Sequence, residues 1–238
     1  MTLTQLLIYI AIAAIILTLA DKFLFDRVKN YIVSYLQNFA GSLFIFSGAV
    51  KIVDPLGTAF KMEDYFEQFE YTFAETWMSF IAPVFPFLSE YSVIFSMITI
   101  VVEIILGYML VVGSKPKFTS WAFLVLVVFF TALTGFTFLT GFVPTDANFF
   151  NFSAWQEFNE LNMRVTDCGC FGDFIILDPR VSFMKDVFLL IPAIFFILRY
   201  KDFHQLFMPV IRNIGLGVLL IASVIYGISN FMWDIPDF

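Results

Sequence analysis

The sequence predicts an all-α integral membrane protein with about six transmembrane helices. Of its 238 residues, 60% are hydrophobic and only 14% are charged, whereas soluble domains are nearer half apolar and a quarter charged. The apolar residues also fall in runs long enough for a helix to cross the hydrocarbon core of a bilayer. No run alternates apolar and polar residues, which argues against a spanning β-barrel. The runs cover residues 4–20, 31–53, 92–113, 118–143, 181–198 and 210–233.

The first run could be mistaken for a cleaved secretory signal. Such a signal begins with basic residues, whereas here the positive charges of Lys22, Arg27 and Lys29 follow the apolar run. We therefore expect this run to be a retained spanning helix.

Basic residues near the ends of the runs predict the orientation. Cytoplasmic links carry an excess of lysine and arginine, and the links after the first, third and fifth runs have this excess. The other two links, 54–90 and 144–180, are acidic and are expected to be external, together with both termini. The basic residues of the cytoplasmic links are Lys22, Arg27, Lys29, Lys115, Lys117, Arg199, Lys201 and Arg212.

Several functional classes are excluded by what the sequence contains. The net charge is −7, and nucleic-acid binding needs a basic face. Phosphate-binding loops, dinucleotide fingerprints and Ser-His-Asp constellations do not occur. Because there is also no internal repeat, we expect residues 1–238 to form a single membrane domain.

The first external link, 54–90, contains apolar residues at the spacing of an amphipathic helix. We expect this helix to lie at the membrane surface or to cap the bundle. Pro83 and Pro86 then indicate a break before the third run. The apolar residues are Met62, Tyr65, Phe66 and Phe69, with acidic residues between them.

The second external link, 144–180, contains the only cysteines, Cys168 and Cys170. Outside the cytoplasm they would lie in an oxidising compartment. A disulfide between them would close a small, strained ring, which is easily reduced and stabilises little. The pair therefore suits thiol exchange, although a permanent turn lock remains an alternative. A metal site is not predicted, because the only histidine, His204, is expected on the opposite side of the membrane.

The charges around the cysteines act against a thiolate. Asp167 and Asp173 should raise the thiol pKa, so a nearby cation would have to compensate. The candidates are Lys51, Arg164, Arg180 and Lys185.

Glu103 lies deep in the third run, where a carboxylate is costly and normally has a partner inside the bundle. If both helices are regular, it lies too deep to meet Lys51 directly. We expect either a proton relay or quinone contact, or a polar clamp between helices. The side chains at a more similar depth are Gln37, Asn38 and Ser42.

Further ionisable residues are predicted in the outer layer that holds the cysteines. Lys51 either extends its ammonium group to the surface or pairs with Asp54 or Asp186. Lys185 and Asp186 begin the fifth run, directly after the cysteine link. This clustering indicates a candidate site.

Three segments resemble the bacterial DoxX-like membrane proteins, particularly the branch of the methylamine utilisation protein MauE. They are FIFSGAVKIVDPLG (44–57), DCGCFGD (167–173) and SFMKD (182–186). The resemblance covers residues 31–198 and implies a four-helix core, made of the second to fifth spans, with one added helix at each end.

The resemblance also implies location and function. It indicates the bacterial inner membrane and thiol–disulfide redox work, with Cys168 and Cys170 as the redox pair. The partner would be a periplasmic thioredoxin-like protein, and quinone is a candidate cofactor. Lys51 and Glu103 would contact the proton or the quinone. Lys185 and Asp186 would support the site.

Two other functions remain open at this stage. The protein could be a non-enzymatic subunit or assembly factor that docks other membrane subunits. It could also be a small transporter that couples to protons through Glu103, although the missing repeat argues against this. A single cysteine pair means that a complete relay to quinone would need another protein.

Overall fold

The computed structural model describes residues 2–74, 76–165 and 169–233, and within these ranges the chain is mostly helical. Short 3-10 turns and one extended segment, β1 (Cys170–Asp173), lie in the links. The helices are α1 (Leu3–Phe23), α2 (Tyr31–Lys51), α3 (Pro55–Ala74), α4 (Val84–Glu90), α5 (Ser92–Val112), α6 (Pro116–Thr140), α7 (Pro179–Arg199) and α8 (Pro209–Trp233).

Five helices, α1, α5, α6, α7 and α8, are each long and apolar enough to cross a membrane. α2 meets the same criterion together with α3, from which it is bent by 97°. The prediction of an all-α membrane protein with about six spans is therefore confirmed. The spanning helices also begin and end within a few residues of the predicted runs.

Local sequence signals explain where these helices begin and end. The Asn30 side chain accepts hydrogen bonds from the backbone of the first turn of α2, and Asp178 does the same for α7, as N-capping residues do. Gly113 ends α5 with a φ of 66°, a conformation that suits glycine. A Cβ there would also collide with the carbonyl oxygen of His204.

The core consists of two helix pairs. α2 and α5 run antiparallel and pack closely, because glycines let their backbones approach: a Cβ on Gly107 would lie 2.7 Å from the carbonyl oxygen of Gly41. Small residues are typical of such membrane interfaces. α6 packs chiefly on α7, and buried side chains such as Phe44 and Phe123 join the two pairs in one apolar core. The added helices lie outside, with α1 against α2 and α8 against α5.

One end of the bundle, which we call the cysteine end, carries α3, α4 and β1. α3 buries Met62, Tyr65 and Phe66 and packs on α5, so the predicted amphipathic helix is present. The short helix α4 follows Pro83 and contains Pro86. The break predicted between α3 and the next span thus contains an additional helical turn.

The opposite end, which we call the histidine end, holds a separate buried polar cluster. The ring Nε2 of His204 lies 2.7 Å from the carbonyl oxygen of Val111 and 3.8 Å from Asp21 Oδ2. Asn38 donates to that same carboxylate oxygen at 2.8 Å. Burial lowers the pKa of His204. His204 therefore lies at the end of the bundle away from Cys170.

Candidate functional site

A small polar cavity lies between the two helix pairs at the cysteine end. Its volume is about 50 Å³, enough for a few water molecules. It contains five of the six residues predicted from the sequence, namely Lys51, Glu103, Cys170, Lys185 and Asp186. Its polar lining is completed by Ser47, Thr58, Lys61, Tyr65 and Thr134.

The sixth predicted residue, Cys168, lies outside the described residues. So do Asp167 and the side chain of Asp173, to which the sequence assigned a repulsive effect on a thiolate. The geometry of the candidate site therefore rests on Cys170 and its neighbours.

Lys51 and Glu103 form a buried ion pair, with 2.6 Å between Lys51 Nζ and Glu103 Oε1. The prediction that Glu103 lies too deep for Lys51 is wrong. Gly48 of α2 faces Ile100 and Ile104 of α5, so the end of α2 lies only about one helical turn (~5–6 Å) from the level of Glu103. The four-carbon stem of the lysine covers that distance.

The partners predicted for Glu103 also lie elsewhere. Gln37 bonds the backbone carbonyl oxygen of Leu110 and the amide of His204. Asn38 belongs to the cluster at the histidine end. Ser42 makes no described contact with Glu103. Depth along the sequence therefore misassigned the partners, since it ignores the stagger of α2 against α5.

Ser47 connects Glu103 to the cysteine segment. Its hydroxyl oxygen lies 2.9 Å from Glu103 Oε2 and also 2.9 Å from the backbone carbonyl oxygen of Cys170. One α2 side chain thus touches both the deep carboxylate and the backbone of a predicted redox residue. Sequence analysis missed Ser47 as a site residue, although it lies in the SGAVK stretch that carries part of the family resemblance.

A second buried ion pair joins the adjacent residues Lys185 and Asp186 of α7. Thr134 of α6 donates a hydrogen bond of 3.0 Å to Asp186 Oδ2. Asp186 is only 2% exposed, so these bonds compensate for much of the cost of its burial. Lys51 does not pair with Asp186 or Asp54; Asp54 instead accepts a hydrogen bond from the Gly57 amide.

Cys170 is partly buried beside these pairs. Burial raises the pKa of its thiol, and the positive charge of Lys185 opposes that rise. Lys185 also lies over the ring of Phe171, 5.7 Å from its centroid. Phe171 is 2% exposed and anchors β1 against α2. The raised thiol pKa follows chiefly from burial rather than from neighbouring carboxylates.

The other candidate cations lie elsewhere. Arg164 donates to the backbone carbonyl oxygen of Ala147 at 2.8 Å and to Thr72 at 3.4 Å, and its guanidinium group lies over Tyr71. It fastens the cysteine link to the end of α3. Arg180 is exposed at the start of α7. Lys185 is the cation that lowers the thiol pKa of Cys170 most, and Lys51 lowers it less.

The cavity does not fit a quinone ring in this conformation. Ligand-sized sites measure roughly 300–1,000 Å³, whereas the polar cavity measures about 50 Å³. A larger apolar groove of about 560 Å³ lies between α1, α2 and α7 and shares Leu43, Lys185 and Leu189 with the cavity wall. Among the described residues, no group of three or more metal-ligating side chains occurs.

Comparison with known families supports part of the resemblance drawn from the sequence. The family model described as methylamine utilisation protein MauE matches residues 29–145, just under half of the chain. The matched region runs from the start of α2 to the end of α6 and stops before Cys170 and the ion pair of α7. No curated protein and no solved structure matches the chain. The wider DoxX-like assignment stays a prediction.

Proposed function

We propose that this protein is a membrane component of thiol–disulfide exchange outside the cytoplasm, with Cys168 and Cys170 as its redox pair. The observation that carries the proposal is the position of Cys170 beside two buried ion pairs, Lys51–Glu103 and Lys185–Asp186. A turn lock would need no such surroundings. Ionisable residues inside a membrane bundle are costly and usually mark a functional site.

The exchange reaction needs no bound cofactor. A thiolate of a partner dithiol attacks the Cys168–Cys170 disulfide, a mixed disulfide forms and one cysteine leaves as a thiolate. The second partner thiol then breaks the mixed disulfide. The partner ends as a disulfide, and this chain ends as a dithiol that has gained two electrons and two protons. The reverse sequence oxidises the pair again with a more oxidising protein disulfide.

The surrounding charges suit these proton movements. Lys185 stabilises a Cys170 thiolate as it leaves, because its positive charge opposes the effect of burial. Lys51 and Glu103 line the same cavity and are the groups that we assign to proton movement. The partner that we propose is a thioredoxin-like protein, whose exposed dithiol would react with the link that carries Cys168 and Cys170.

Orientation and location belong to the same proposal. The lysine and arginine residues of the opposite links favour an external cysteine end, where disulfides persist. The family match to MauE supports a bacterial membrane setting for the chain. We therefore propose the bacterial inner membrane, with both termini and the cysteine link facing the periplasm.

The reduction potential of the purified protein tests this proposal. The Cys168–Cys170 pair is equilibrated in glutathione buffers, its free thiols are tagged with a maleimide, and the oxidised fraction is read from the gel shift. Exchange proteins have potentials between roughly −270 and −120 mV, whereas structural disulfides lie below about −300 mV. A value in the first range supports exchange, and a value in the second indicates a permanent turn lock.

A second test traps the redox partner in cells. A Cys168→Ser or Cys170→Ser variant should accumulate a partner in an adduct that reductant cleaves, because the resolving cysteine is missing. The Cys168→Ser/Cys170→Ser double variant is the matched control and should trap nothing. If neither single variant forms an adduct while membrane partners still copurify with the double variant, the protein is a non-enzymatic subunit.

A further inference from the structure

The hydroxyl of Ser47 lies at hydrogen-bond distance from two acceptors but has only one proton to donate. The acceptors are Glu103 Oε2 and the backbone carbonyl oxygen of Cys170, both at 2.9 Å. While Glu103 is a carboxylate, both groups only accept. Ser47 can then satisfy one of them, and the other oxygen loses this bond.

Protonation of Glu103 removes the conflict. A carboxylic acid donates through its own O–H, so Glu103 can donate to Ser47 while Ser47 donates to Cys170. In the structure the ammonium group of Lys51 donates to Oε1, the other oxygen of Glu103, at 2.6 Å, and that oxygen can still accept when Oε2 carries a proton. The contacts of Ser47 are therefore all satisfied together only when Glu103 carries a proton.

We propose that Ser47 is a positioning residue that couples the protonation of Glu103 to the position of the Cys170 segment. With Glu103 protonated, Ser47 holds the Cys170 carbonyl against α2. With Glu103 ionised, the Ser47 hydroxyl turns to the carboxylate, because hydrogen bonds to charged acceptors are the stronger ones. The Cys170 segment is then released from α2, and its thiol becomes easier to reach.

The charged groups that face this chain of contacts come from several elements. Lys51 contributes from α2, Lys61 from α3, Lys185 and Asp186 from α7, and the Cys170 thiol from β1. Lys51 is in direct contact with Glu103, and it donates in both states. The change of hydrogen-bond direction at Ser47 is therefore the step that protonation of Glu103 controls.

This inference rests on the proposed function only for the biological purpose of the coupling. Disulfide exchange takes up and releases protons. The coupling would make the thiol accessible when Glu103 is ionised and hold it against α2 when Glu103 is protonated. The coupling itself can be measured without any redox partner. Its failure and the failure of the exchange proposal are thus distinguishable.

The test uses the full-length protein in detergent with Cys168→Ser, so that Cys170 is the single thiol. The rate of Cys170 alkylation by a maleimide is followed across pH, and the thiolate fraction is measured separately by ultraviolet absorbance. After division by the thiolate fraction, the rate should show a further step caused by Glu103. Glu103→Gln should remove the step and keep the slow rate, because the amide donates to Ser47 as the acid does. This variant also carries Lys51→Met, so that no ammonium group is left buried without its carboxylate.

The variants of Ser47 decide whether this residue carries the effect. Ser47→Ala should remove the step and leave the fast rate at every pH, about fivefold above Glu103→Gln, the factor that one net hydrogen bond represents. Ser47→Ala combined with Glu103→Gln should behave as Ser47→Ala alone, because Ser47 acts between Glu103 and Cys170. Ser47→Thr retains the hydroxyl and should restore the step.

Ser34→Ala is the matched control, since Ser34 is a buried serine of the same helix whose hydroxyl has no hydrogen-bond partner among the described residues. Its profile should follow that of the parent. The proposal is overturned if the Ser47→Ala profile superimposes on the parent profile. It is equally overturned if the step persists in Glu103→Gln.

Discussion

Lys51 Nζ lies 2.6 Å from Glu103 Oε1 and joins the last residue of α2 to the middle of α5. The lysine side chain is 5% exposed and the glutamate side chain 1%. Desolvation of two such charges is expensive, and their attraction offsets it only while both are present. The pair therefore stabilises the α2–α5 contact only while both side chains are present.

Removal of one side chain of the Lys51–Glu103 pair should therefore lower the free energy of unfolding more than removal of both. Lys51→Met leaves Glu103 buried without its cation, and we expect it to lower the free energy of unfolding by about 3–5 kcal/mol. The Lys51→Met/Glu103→Gln double variant should recover much of that loss. Thermal unfolding in detergent measures both.

Lys22→Met is the control for this comparison. Lys22 pairs with Asp26 on the surface, and exposed pairs contribute little. Its unfolding temperature should stay close to that of the parent. A double variant less stable than Lys51→Met would contradict our account of the buried pair.

The sequence was sufficient for the helices but not for this contact. Long apolar runs are local signals, and they located the spans to within a few residues. The meeting of Lys51 with Glu103 depends on the stagger of two helices, which is a tertiary property set by the glycines between them. A depth counted along each helix separately could not give it.

Hydroxyl groups in the site were missed for a related reason. Serine and threonine side chains in membrane helices often bond a carbonyl oxygen one turn earlier in their own helix, as Thr131 does with Val127. Nothing in the sequence distinguishes such a residue from Ser47, which reaches other elements. The same is true of Thr134, which bonds Phe130 of its own helix and also Asp186 of α7. Cys170, Lys185 and Asp186 were predicted because charges are rare in a membrane bundle and the chain has only two cysteines.

The glycine contact between α2 and α5 gives a second prediction. A Cβ on Gly107 would lie 2.7 Å from the carbonyl oxygen of Gly41 and 2.7 Å from Ile45 Cγ1. Gly107→Ala should therefore separate the helices and cost about 1–3 kcal/mol. Thermal unfolding of the purified variant measures the cost.

Gly217→Ala provides a control of the same chemistry. Gly217 lies in α8, and nothing lies within 4 Å of the position its Cβ would take. Alanine favours a helix over glycine, so this variant should be as stable as the parent or slightly more stable. Equal losses of stability in Gly107→Ala and Gly217→Ala would disprove the role of the α2–α5 glycines.

The third prediction concerns the influence of Lys185 on Cys170. Burial raises the pKa of the Cys170 thiol, and Lys185 holds it lower than burial alone would. Lys185→Met should raise the thiol pKa further, so that less thiolate is present at neutral pH. In a Cys168→Ser background, the alkylation curve should shift to higher pH and the rate at neutral pH should fall.

Arg180→Met serves as the control, because Arg180 is an exposed cation of the same helix. Its curve should coincide with that of the parent. A shift of the Lys185→Met curve to lower pH would show that Asp186, left without its cation, has moved away from the thiol, and our assignment would be wrong.

The fourth prediction tests orientation. In a Cys168→Ser/Cys170→Ser background, Leu161→Cys places a thiol in the 144–180 link, at a residue that is 87% exposed. A membrane-impermeant maleimide should label it in intact cells. Lys201→Cys, in the link between α7 and α8, should be labelled only after lysis. Reversed labelling would place the cysteine end in the cytoplasm and remove the basis for disulfide chemistry.

The division of the core into two helix pairs has a consequence for motion. The Lys51–Glu103 pair lies wholly within α2 and α5, whereas Lys185, Asp186 and Thr134 lie wholly within α6 and α7. The polar cavity lies between these two helix pairs and is closed by α3 and β1. A rocking of one pair against the other can therefore widen the cavity without separating either pair of charges, so that opening does not incur the cost of exposing a bare ion to lipid.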